Sequence, residues 1–98
     1  MATPGTGPGC YLLRLTKNGP VHYVGRSDTN LKDRLDAEEF ECTSCGKGVK
    51  QRRWWTLGTK KQAFEKECEE YHKHSNLCND IHPAAPRGMK LTCPECEP

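Results

Sequence analysis

At 98 residues, with 34% hydrophobic residues and a mean hydropathy of −0.88, the chain is expected to form one domain with a thin core. No stretch approaches the roughly 18 apolar residues of a membrane span, and Met1 to Gly9 has neither the basic start nor the apolar run of a secretory signal. A soluble, cytoplasmic protein with no membrane partner is therefore expected. The net charge of +2 decides little, but it is unevenly spread: Lys47, Lys50, Arg52, Arg53, Lys60 and Lys61 fall in a run without an acidic residue, whereas Asp28 to Glu41 is mostly acidic.

Residues 1–8, rich in Gly, Pro and Thr, carry no side chain able to pack and read as a flexible leader to a single domain over 9–98. Cys10 to Thr16 and Val21 to Arg26 are rich in strand formers and flank Lys17-Asn-Gly-Pro20, which predicts a β-hairpin. By the two-residue period Tyr11, Leu13 and Leu15 share one face, and Tyr23 shares a face with Val21 and Gly25. Ser27, Asp28 and Thr29 are cap candidates for a short helix from Asn30 to about Ala37, in which Leu31 and Leu35 face inward. Arg34 falls at the edge of that stripe. It is either a functional guanidinium near the hairpin or a stem covering apolar surface.

Arg53-Trp-Trp-Thr-Leu57 predicts a third strand, followed by a helix whose Thr59 and Gln62 have the capping-box spacing. Ala63, Phe64, Cys68 and Tyr71 form its apolar stripe, with Glu65, Glu69, Glu70 and Lys73 facing outward. Glu67 sits beside the stripe. An unpaired carboxylate is costly to bury, so Glu67 is a rim residue or a partner for a metal or an arginine. Asn76 to Pro86 reads as an extended wrapping segment stiffened by Pro83 and Pro86, with Asn79 a loop amide or a site residue.

Two CxxC pairs, Cys42-Thr-Ser-Cys45 and Cys93-Pro-Glu-Cys96, supply four thiolates in two short bites, the donor set of tetrahedral zinc. A structural zinc ion joining the middle of the chain to its C-terminal end is expected, with redox-active pairs as the alternative. Four thiolates leave no open position for water, so this zinc would be structural. His82 is a less well placed substitute ligand, and Cys10, Cys68 and Cys78 read as small buried residues. The basic run beside Trp54 and Trp55 is either a nucleic-acid contact, with rings stacking on bases, or a solvated surface over core tryptophans.

In order along the chain, Gly9-Cys10-Tyr11, Tyr23-Val24-Gly25, Leu31-Lys-Asp-Arg34-Leu35, Glu67 within Ala63-Phe-Glu-Lys-Glu67-Cys68, and Asn79 resemble the signature elements of the GIY-YIG nuclease superfamily. Glu67 to His72 and Asn79 to Pro83 further resemble a compact bacterial and phage subgroup that runs Glu-Cys-x-x-Tyr-His and later Asn-x-Ile-His-Pro. The resemblance implies an α+β fold, a three-stranded antiparallel sheet with packed helices, here stapled by the four-cysteine zinc site. It also implies a metal-dependent DNA endonuclease or nuclease-like domain. Glu67 would hold one magnesium or manganese ion, Tyr11 or Tyr23 would orient or activate the attacking water, Arg34 would clamp the phosphate, Arg26 would lie near it, and Asn79 would close the site. His72, about 140° around the helix from Glu67, reaches the site from a neighbouring turn or caps packing. The chain departs from the family at Asp36-Ala-Glu-Glu39, where many active members carry a histidine or tyrosine. The alternatives are a zinc-stabilised nucleic-acid-binding module that does not cut, and a zinc-stapled protein-interaction adaptor. Because so small a domain has little surface for reading sequence, a homodimer or a larger protein partner is also expected.

Overall fold

The computed structural model describes residues 5–37, 46–74, 77–78, 83–86 and 88–94. The elements run β1 (Gly9–Arg14), β2 (Val21–Ser27), α1 (Leu31–Ala37), β3 (Gln51–Thr56) and α2 (Lys60–Lys73). The strands form one antiparallel sheet in the order β2-β1-β3, so the fold is the expected α+β arrangement of three strands and two helices. Among the described residues no helix is long and apolar enough to cross a membrane.

The central strand explains the layering. Gly9 to Leu13 are all buried, because β1 is paired on both edges and covered on both faces. On one face Tyr11 and Leu13 meet Leu31 and Leu35 of α1, with Tyr23 and Trp54 against them. On the other, Cys10, Leu12, Val21 and Val24 cluster with Trp55 and Leu57 beneath α2. Ala63, Phe64 and Cys68 are the buried apolar residues of that helix.

The hairpin register runs from Gly9 opposite Ser27 to Leu13 opposite Tyr23 and then slips, placing Arg14 opposite Val21. Such a bulge changes which face a side chain takes. Val21 therefore packs with Cys10 and Leu12 and not with Tyr23, correcting the simple alternation. Leu15, expected beside Tyr11 and Leu13, lies past the end of β1 and is 37% exposed. The connecting loop closes through a hydrogen bond from Gly19 N to Thr16 O at 3.1 Å, with Asn18 at φ 59°, a left-handed conformation that asparagine tolerates better than most residues.

At α1 the cap is Asn30, whose Oδ1 accepts from Asp33 N at 3.1 Å, while Ser27 Oγ accepts from Asn30 N and Thr29 N just upstream. The first two helical N–H groups, of Leu31 and Lys32, donate to Gly7 O and Gly5 O at 2.9 and 3.0 Å. Pro8 O accepts from Leu57 N, and Gly5 N donates to Thr56 Oγ1. The expected flexible leader is thus, from Gly5 onward, a tie between α1 and the end of β3. Half of the capping box at α2 forms: Thr59 Oγ1 accepts from Gln62 N at 3.2 Å, but Gln62 Oε1 meets the Thr59 hydroxyl, also at 3.2 Å, because Thr59 N donates to Leu57 O instead.

The α2 stripe departs from expectation at one residue. Glu70, read as outward, is 2% exposed, and Tyr71 is only half-buried. Glu70 lies two turns below Ala63 on the same helix face. Its charge is met by Lys66 at 3.5 Å, Lys73 at 3.9 Å and His74 at 3.3 Å. This local cage lets a carboxylate occupy a position the apolar stripe would otherwise reserve.

Candidate active site

Tyr11 is fully buried on β1 and spans the α1 face of the sheet. Directly opposite it in the ladder is Gly25. A Cβ there would run into the phenol, coming within 2.7 Å of Cε2 and closer still to the hydroxyl, so the tyrosine ring occupies the space a side chain would need. Gly9 has the corresponding role beneath α1, where a Cβ would strike Trp55 O and lie 2.6 Å from Leu31 Cδ2. The glycines of the two tripeptides therefore serve packing: one admits the tyrosine, the other the helix.

The Tyr11 hydroxyl accepts a hydrogen bond from Arg34 Nε at 3.0 Å, and the Tyr23 ring lies 6.2 Å from that of Tyr11, tilted by 39°. Arg34 is exposed at residue level, which leaves its guanidinium near solvent while Nε is fixed by the phenol. Of the two readings of Arg34, edge placement with a specific polar partner is the one observed. Tyr11, Tyr23 and Arg34 are thus brought together.

Arg26 and Glu67 form a second group on the α2 face. Arg26 shares the face of Cys10, its ladder partner. Its Nη1 donates to Glu67 Oε1 at 2.9 Å, both side chains being 12% exposed, and its guanidinium carbon lies 5.3 Å from the centre of the Phe64 ring. Of the roles open to Glu67, an arginine partner is therefore realised. Arg26 also meets Asp28, with Nε to Oδ1 at 2.7 Å and Nη2 to Oδ2 at 3.3 Å. The shorter approach is poorly aligned, so buried Oδ1 has a close cation but no well-directed hydrogen bond.

Asp28 was legible only as a cap candidate, although its position two residues past Arg26 puts it on the same side of an extended chain. The negative charge in this layer acts on Cys10 too. Burial, and then the carboxylates of Glu67 and Glu70, push its thiol far above the ordinary range. Cys10 is consequently an inert core residue.

The two groups approach each other at the corner where β2 passes into α1. There an open groove of about 440 Å³ is lined by Arg26, Asp28, Asn30, Asp33 and Arg34 among others. The residues that the resemblance gathers into one site thus form two clusters on opposite faces of the sheet, sharing a groove lined by both Arg26 and Arg34. Chemically, such a corner offers Arg26 and Arg34 to an anion and the carboxylates of Asp28 and Asp33 to a cation, with Glu67 reaching it only through Arg26.

Asn79, His82, Cys42, Cys45 and Cys96 lie outside the described residues. Cys93, the fourth expected zinc ligand, is half-buried. Among the described residues no group of three or more His, Cys, Asp or Glu side chains is arranged to hold a metal. His72 is exposed on α2 and makes an edge-on contact with Tyr71, the ring centres 5.5 Å apart. Trp54 and Trp55 are both half-buried, Trp54 against the α1 core and Trp55 under Arg53 and Lys66 at 5.0 and 4.4 Å. Each tryptophan thus combines core and surface contacts. No protein-family model matches the chain, and neither a curated protein nor a solved structure is significantly similar to it.

Proposed function

We propose that the domain is a divalent-metal-dependent DNA endonuclease that hydrolyses a phosphodiester by water attack, a member in kind of the GIY-YIG nucleases that its sequence resembles. The observation that carries the reading is the shared groove. Arg34, tied to Tyr11 beside Tyr23, and Arg26, tied to Glu67 and Asp28, border one open corner.

In this reading the scissile phosphate is bound between the two guanidiniums, whose fixed forks suit phosphate oxygens and offset the charge that builds on them during attack. The tyrosine hydroxyls orient the incoming water. Asn79 closes the site. The donor chemistry suits a magnesium or manganese ion: Glu67 and Asp28 offer hard carboxylate oxygens, and Asp28 Oδ1 is buried without an aligned donor. Such an ion, when bound, supplies Lewis-acid polarisation of the phosphate, and Glu67 is the residue that would hold it. Arg26 bridges the same two carboxylates and thereby keeps them ordered.

Zinc belongs elsewhere in the proposal, as a structural staple on Cys42, Cys45, Cys93 and Cys96. A nicking assay on supercoiled and branched DNA with magnesium or manganese tests the activity. Glu67→Ala should cut at least about 100-fold more slowly while retaining zinc by metal analysis. Cleavage by the variant at the parent rate, or none by the parent on any DNA, would refute the reading. A binding module that does not cut is the second reading, favoured by the direct pairing of Glu67 with Arg26.

A further inference from the structure

A second polar groove, of about 340 Å³, lies at the opposite end of the sheet and is lined by Arg14, Asn18, Gln51, Arg52 and Arg53. These residues come from β1, the hairpin loop and β3, which the ladder brings together where Arg14 faces Gln51. Among the described residues no carboxylate lines the groove. Among the described residues none of the three arginines forms an ion pair. Three arginines bordering one groove, with no carboxylate among its described lining residues, make a positive potential that attracts an incoming anion.

The arginines are held in place. Arg14 Nε donates to Gly19 O at 2.9 Å, Arg52 Nη1 donates to Leu35 O at 2.8 Å, and Arg53 lies 5.0 Å over the Trp55 ring. Each of these anchors is a neutral group, so among the described residues no carboxylate pairs with these three charges. A guanidinium fixed through one N–H keeps further donors for phosphate oxygens and loses little freedom on binding. Gln51 and Asn18 close the floor of the groove through Asn18 N to Gln51 Oε1 at 2.8 Å.

Position gives the groove its meaning. Arg52 is anchored on the carbonyl of Leu35, the residue after Arg34, so this basic surface begins where the tyrosine and arginine cluster ends. The six residues of β1 separate the corner groove near Gly9 from Arg14. Five steps of about 3.4 Å give roughly 17 Å. Along a duplex, at about 3.4 Å per base pair, that is roughly five base pairs.

We infer that Arg14, Arg52 and Arg53 form a phosphate-backbone subsite that grips a nucleic-acid strand about five base pairs from the phosphate bound at the Arg26 and Arg34 corner. The subsite deepens the nucleic-acid reading above and rests on it. Its chemistry is that of the phosphodiester backbone, shared by duplex and single strand, and it reads no bases.

Binding of a short labelled DNA duplex, and of its single strand, is measured by fluorescence anisotropy over a salt series in metal-free buffer, so that cleavage does not intrude. Loss of three phosphate contacts in R14Q/R52Q/R53Q should reduce the slope of log affinity against log salt by about 2 to 3, slightly more for the duplex than for the single strand. Arg53→Gln removes no side-chain hydrogen bond among the described residues, and alone it should lower the slope by about 0.7 to 0.9. It carries the test if the triple variant does not fold. Slopes equal to the parent's in Arg53→Gln and in any folded triple variant would overturn the subsite. The nicking assay fails or succeeds separately: a chain that never cuts yet binds with arginine-dependent slopes keeps the subsite and loses the nuclease, and a chain that cuts with slopes indifferent to these arginines loses the subsite alone.

Discussion

Replacing Arg26 by methionine tests the layer that couples α2 to the edge of the sheet. The guanidinium serves two carboxylates: Glu67 at 2.9 Å, with both side chains 12% exposed, and Asp28 at 2.7 Å, itself 29% exposed. Methionine keeps most of the stem that lies over Phe64 but leaves both acids without their cation. Removing one partner of a buried pair costs about 3–5 kcal/mol, and exposed pairs are worth about 0–1 kcal/mol. With the Glu67 pair between those limits, since both side chains keep 12% exposure, and the Asp28 pair nearer the exposed end, a loss of roughly 2–3 kcal/mol is expected for Arg26→Met. In a domain of this size that is a fall in Tm of roughly 10–20 °C. Urea unfolding at neutral pH, with the slope m unchanged, would measure it. The R26M/E67M double variant should regain the share due to Glu67 but not that due to Asp28, giving a measurable coupling in a double-mutant cycle. An Arg26→Met protein within about 0.5 kcal/mol of the parent, or a cycle showing no coupling, would refute the assignment of this ion pair as a structural joint.

Gly25→Ala should destabilise the domain by about 1–3 kcal/mol through overpacking against the Tyr11 ring. It should also slow nicking, because the displaced phenol leaves Arg34; thermal melting equal to the parent's would show that the ring does not occupy that space. The Cys10 thiol gives a pH signature. Its folded pKa is raised, so above the unfolded thiol range the native state still holds a proton that the unfolded chain has lost. Stability should therefore be insensitive to this group below pH of about 8.5 and fall above it, by up to about 1.4 kcal/mol per pH unit. Urea midpoints across that range should lose this component in Cys10→Ala, and an identical alkaline decline in the variant would remove Cys10 as its source.

What could be read from the chain was what its neighbours in sequence determine. The hairpin announces itself through Asn18-Gly19 between strand formers, α1 through Leu31 and Leu35 on one face, and α2 through the Thr59 and Gln62 cap. Alternation placed Tyr11 and Leu13 together, as found, but could not anticipate the register slip at Leu13 and Arg14 that turns Val21 to the other face. The tie formed by Gly5 to Pro8 uses backbone groups alone and leaves no side-chain pattern. Glu70 was misjudged because polarity was given more weight than period: its seven-residue spacing from Ala63 pointed inward, Lys66 four residues before it supplied a compensating charge, and His74 four residues after it a polar contact. At the candidate site, Tyr11, Tyr23 and Arg34 were legible as a set. The bond between Arg26 and Glu67 was not, because it spans 41 positions and needs the third dimension to bring strand edge and helix together.

The tie at the start of the domain has a consequence for how motion spreads through it. Gly5 and Gly7 occupy the amides that open α1, while Pro8 and Gly5 meet the groups that end β3, so a single short stretch of backbone is fastened at both places. Fraying at either site loosens the other through a shared fastening. Arg34 rides on the helix so secured, and the steadiness of its grip on the Tyr11 phenol is in part inherited from four residues that offer no chemistry of their own.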